Sequence, residues 1–153
     1  MRDQQWLVNK LDHLLKTYFA DVVLTNPIEI KFWREAKFRF GSIRLIKPRG
    51  FKLLRSLKSL KEPQKSIITI TSMFASESVP VEVVEYTISH ELCHYAHGFS
   101  SSNKQLFRHP HHGGVVNHEL TNRGAGHLIV AFKKWLKEYR KKILAGKAGI
   151  SNF

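Results

Sequence analysis

The sequence predicts an α+β domain, and three patterns predict it. Apolar residues recur every three or four positions at both ends of the chain. Short alternating or β-branched runs lie between residues 28 and 71. A further apolar helix is signalled between Ser78 and Gly98. With 153 residues, 42% hydrophobic and 24% charged, the chain can bury one core, and residues 1–153 are expected to form a single domain.

The elements follow in order. Residues 3–20 read as an amphipathic helix with Trp6, Leu7, Leu11, Leu14, Leu15, Tyr18 and Phe19 on one stripe and Asp3 as N-cap. Asn26-Pro27 breaks that pattern. Ile28, Ile30 and Phe32 alternate with Glu29 and Lys31, which predicts a half-buried strand. Phe38, Phe40, Ile43 and Leu45 predict a second strand, with Gly41-Ser42 as a bulge or a close backbone approach. Phe51–Leu60 reads as a short basic helix. The β-branched Ser66–Thr71 reads as a buried strand. Ser78 is the expected N-cap of the next helix, with Glu82 in its first turn and Gly98 at its end. Polar, His- and Gly-rich residues 99–126 include a short helix near Val115–Leu120. A last helix is expected over His127–Leu144, with Leu128, Phe132, Trp135, Leu136, Tyr139 and Ile143 as its apolar stripe.

Charge and cysteine content narrow the classes. No apolar run approaches the roughly 20 residues of a membrane span. The first residues lack the layout of a signal peptide. The single Cys93 excludes an internal disulfide and a Cys-rich zinc ribbon. A cytoplasmic location is expected. Net charge is +13, which favours a polyanionic partner such as DNA. The charge is segregated. Twelve basic and two acidic residues lie between Lys31 and Lys65, and none of Ser66–Asn103 is Lys or Arg. Lys52, Arg55 and Lys58 are the expected phosphate contacts, with a solvated helix face as the competing explanation.

His90-Glu91-Leu92-Cys93-His94 carries the chemistry. Residues four apart on a helix share a face, so both imidazoles can hold one metal ion. Glu91 is rotated about 100 degrees from His90, from where its carboxylate can reach a metal-bound water without ligating and is expected to act as general base. Imidazole nitrogens suit Zn²⁺. Eight of the nine histidines lie between His90 and His127.

The chain here resembles the SprT-like zinc metallopeptidases, whose relatives include the Spartan proteases. The resemblance covers roughly residues 28–98. It rests on Arg39-Phe40-Gly41-Ser42, then Ser66–Thr71, then Val79-Pro80 leading into His90–His94. It implies a minimal zincin-like fold with one catalytic zinc, and hydrolysis of peptide bonds in a protein or peptide substrate, with protein bound or crosslinked to DNA as the narrower expectation. It also implies a third histidine followed by Gly. His112-Gly113 fits best, His127 comes second, and His111 and His109 are neighbouring alternatives. The chain departs from the family in having Val116 where a bulky aromatic follows the third histidine, and it shows no C-terminal zinc ribbon of the kind some relatives carry.

Other polar residues have plainer explanations. Cys93 reads as a small buried apolar residue, and His97 as a C-terminal helix residue favoured by the dipole. Tyr95 and Arg123 are possible oxyanion partners without a geometry to support them. The rival from another class is a non-enzymatic, basic nucleic-acid-binding module with a structural zinc. A fourth protein ligand would favour it.

Overall fold

The computed structural model of the chain describes residues 1–46 and 64–150, with side chains as far as Gly146. Its elements are α1 (Gln4–Tyr18), β1 (Ile28–Trp33), β2 (Gly41–Ile46), β3 (Lys65–Thr71), α2 (Val81–Ala96), α3 (Val115–Asn122) and α4 (Gly126–Ile150). The architecture is α+β, as expected. The expected helix over Phe51–Leu60, with Lys52, Arg55 and Lys58, lies outside the described residues.

The sheet order is β1-β3-β2. Central β3 runs parallel to β1 and antiparallel to β2. The register aligns Ile30 and Ile43 with Ile68, so one face of the sheet is apolar. Leu7, Leu11 and Leu14 of α1 join that face in one core with Val83, Val84, Ile88 and Leu92 of α2. Asp3 caps α1 by accepting a hydrogen bond from the Trp6 amide at 2.8 Å.

Helix α2 is the centre of the domain. It packs against the sheet, α1, α3 and α4. Between Val83 and Tyr95 every residue except Glu85 and His90 is buried. The sequence shows no polar stripe here because there is almost no solvent face. The expected Ser78 cap is not formed. Pro80 takes the N-cap position without a side-chain hydrogen bond, and the Ser78 and Ser76 hydroxyls pair at 2.7 Å. Proline has its dihedral preset, and buried Val79 ties down the entry.

The second strand starts later than its alternation suggested. Phe38 is exposed and Arg34–Phe40 form the connection from β1. Gly41 is no bulge but the first residue of β2. A Cβ there would lie 2.7 Å from Thr87 Cγ2 and 3.2 Å from Glu91 Oε1. The sheet edge thus approaches α2 closely, beside the H-E-x-x-H motif. Phe40 anchors the approach in an aromatic cluster, stacking on Phe74 at 5.4 Å and meeting Trp135 edge-on at 5.4 Å. The stripe of α4 supplies Leu128, Phe132 and Trp135 to the core. Among the described residues no helix is long and apolar enough to cross a membrane.

Candidate metal centre

His90 and His94 lie one turn apart on α2, and their rings are 4.7 Å apart. The third imidazole comes from the segment between α2 and α3. That segment turns back at Gly98, whose φ of +81° is left-handed. A Cβ at Gly98 would run into the Lys104 carbonyl, so both the dihedral and the space require glycine. The following loop is pinned at several points. Asn26, buried, accepts from the Ser102 amide at 2.9 Å and donates to Ser66 Oγ at 2.8 Å. Ser66 Oγ donates to the Ser100 carbonyl at 2.7 Å. Tyr95 OH donates to the Asn26 carbonyl at 2.8 Å and accepts from its amide at 3.2 Å. Further along, the Leu106 amide returns to the His97 carbonyl at 2.9 Å.

This loop delivers His111. Its Nε2 lies 3.1 Å from His90 Nε2 and 3.0 Å from His94 Nε2. The three ligand atoms lie within 4.8 Å of one another and could hold a metal ion. Tetrahedral zinc with Zn–N bonds of about 2.0–2.1 Å would set its nitrogens about 3.3 Å apart. The observed spacing is close to that, and an all-imidazole set suits such a cation.

His112, expected as the third ligand, is not in this group. Instead it faces a cavity of about 360 Å³ shared with Phe107, His109 and His118. Adjacent residues project differently, so a shift of one position exchanges which imidazole meets α2. A His-Gly pattern locates the loop without choosing between neighbours. His127 is also elsewhere, with Nε2 3.4 Å from Tyr18 OH, and His109 lines the same cavity as His112.

Burial sets the protonation of His90 and His94. Desolvation, then the neighbouring His111, pushes His90 down to about 4. Desolvation, then His90, His111 and His97, pushes His94 down to about 3. Both imidazoles are therefore neutral, and able to ligate, well into the acid range. Glu91 is 6% exposed, and burial raises its carboxyl to about 7 against the opposing pull of Arg39. Gly41 leaves room for Oε1 at the sheet edge.

The remaining polar candidates are engaged elsewhere. Cys93 is fully buried, and burial pushes its thiol up to about 12. It therefore behaves as a small apolar residue and takes no part in the cluster. Tyr95 is committed to Asn26. Arg123 pairs with Glu119 at 2.9 Å and with Asp21. His97 caps α2 and is buried, with Nε2 3.6 Å from Glu119 Oε2 and Phe107 edge-on to its ring.

No protein-family model matches the chain, and comparisons with curated proteins and with solved structures likewise find no match.

Proposed function

We propose that the chain is a zinc-dependent peptidase in which His90, His94 and His111 hold the metal and Glu91 is the general base. The observation that carries this reading is the convergence of the Nε2 atoms of His90, His94 and His111, with buried Glu91 next to His90 on α2. When bound, zinc would lower the pKa of a coordinated water towards neutrality and polarise the scissile carbonyl. Glu91 would accept the water's proton and pass it to the leaving amine. His90 and His94 are held for this by α2, and His111 by the pinned loop. The lack of a side chain at Gly41 leaves room for Glu91 Oε1 at the edge of β2.

Among the described residues no fourth His, Cys, Asp or Glu joins the three histidines. An open position of that kind favours catalysis over a structural zinc. Proteins or peptides are the proposed substrates, as the resemblance to SprT-like peptidases suggests, with DNA-bound or DNA-crosslinked protein as the narrower form of that proposal.

The test is zinc content and proteolysis measured together. Purified wild type should carry about one zinc per chain and degrade an unfolded protein such as casein. Glu91→Gln should keep the zinc and lose cleavage. A variant that cleaves as fast as wild type would overturn the role of Glu91. Zinc-loaded wild type inert towards varied proteins, with and without DNA, would overturn the peptidase reading.

A further inference from the structure

The sheet face opposite α1 and α2 carries a surface of a different kind. Lys31 and Trp33 of β1 alternate onto this face, opposite Thr69 and Thr71 of β3. Ser42 and Arg44 of β2 join them, with Ser42 paired to Thr69 by a 2.7 Å hydroxyl contact. With Arg34, Glu35 and Arg39 from the connection, these residues line a groove of about 810 Å³. Four cations thus face one carboxylate. Trp33 is 53% exposed, an unusual place for a large indole. Lys31 Nζ lies 4.9 Å and Arg34 Cζ 5.8 Å from its ring centroid. Tyr139 OH donates to the Lys37 carbonyl at 3.0 Å, which ties the same connection to α4 and its exposed Lys137, Arg140 and Lys141.

We infer that this groove binds single-stranded nucleic acid, with Trp33 stacking on a base and Lys31, Arg34, Arg39 and Arg44 meeting phosphates. Charge complementarity selects a polyanion, and the exposed indole selects one with unpaired bases. Stacking of this kind is tolerant of sequence because every base has a π-face. A duplex keeps its bases stacked and leaves Trp33 without a partner. From β1 across β3 to β2 the face spans about 10 Å, enough for one strand's backbone to lie along it. The surface does not depend on the metal-centre reading, and its test is run in chelator.

The experiment is fluorescence anisotropy of a labelled oligothymidylate of about 15 nucleotides and of a matching duplex, at about 50 and about 200 mM salt. The single strand should bind more tightly than the duplex. Trp33→Ala should weaken it by about tenfold or more, while Trp33→Phe keeps most of the affinity. The double reversal Lys31→Glu with Arg44→Glu should weaken binding and flatten its salt dependence. Reversing exposed Lys16 and Lys104, which lie off this face, should change little. Circular dichroism checks each fold, and Trp33→Phe with the double reversal carries the test if Trp33→Ala does not fold. Any of four results would overturn the inference: no single-strand binding at the lower salt, preference for duplex, equal losses from the control reversals, or an unaffected Trp33→Ala. Binding only to phosphatidylserine vesicles would overturn it in favour of a membrane surface.

Discussion

Replacing Glu91 by glutamine should stabilise the metal-free protein, and do so increasingly as pH rises. Burial raises the Glu91 carboxyl from 4.5 to about 7, so the folded chain binds that proton more tightly than the unfolded chain. Its contribution to stability is therefore full below about pH 4.5 and is lost as pH climbs through about 7. At about 1.36 kcal/mol per unit, the loss is capped near 3 kcal/mol. Glutamine has nearly the same shape and does not titrate. The stability difference between Glu91→Gln and wild type should rise by about 1–3 kcal/mol between pH 4.5 and pH 8. His90 and His94 act in the opposite sense. Their lowered values mean stability present above about 6.5 and lost as pH falls towards about 4 and about 3. Because both proteins carry these histidines, that loss largely cancels in the difference. Urea unfolding in excess chelator across this range is the assay. With zinc restored the difference should shrink, since the cation favours the carboxylate. A difference that is flat with pH, or a wild type that is the more stable at pH 8, would refute the burial argument.

Four further outcomes are expected. His111→Ala should weaken zinc binding more than 100-fold, beyond the roughly 10–100-fold typical of outer partners, while His112→Ala changes it only a few-fold. Competition with a chromophoric chelator measures both. Gly41→Ala should cost about 1–3 kcal/mol of stability by urea unfolding, because its Cβ would press on Thr87 and Glu91. Tyr95→Phe should cost about 1–3 kcal/mol, since it removes the hydroxyl that accepts from the amide and donates to the carbonyl of buried Asn26. Removing zinc should lower the melting temperature, and readdition should raise it again in a concentration-dependent way.

Much of this fold is legible along the chain because its signals are local. Asp3 caps α1, Gly98 ends α2, and the β-branched run at 65–71 becomes the central strand. The pairing of His90 with His94 is legible for the same reason, since helical spacing alone puts them on one face. Glu91 follows from the same helix. Two details depended on context instead. The Ser78 cap lost to Pro80 because buried Val79 sets the chain's entry. The alternation around Phe38 overstated β2, because Phe38 is exposed and Phe40, just before the strand, packs in the aromatic cluster.

The sequence by itself determined the fold class, the helix bearing two imidazoles and a carboxylate, and the segregation of charge. Each follows from period, spacing or composition, which need no knowledge of distant contacts. Only the tertiary structure decided which histidine completes the cluster. His111 and His112 stand in the same loop with the same chemistry, and the choice lies in how that loop folds back to bring His111 against His90 and His94. The same holds for Gly41, whose lack of a side chain matters only because β2 passes beside Thr87 and Glu91. It holds too for the cationic groove around Trp33, since the side chains that line it are gathered from three strands. Contacts between residues far apart in sequence depend on how the elements pack, and no local pattern encodes them.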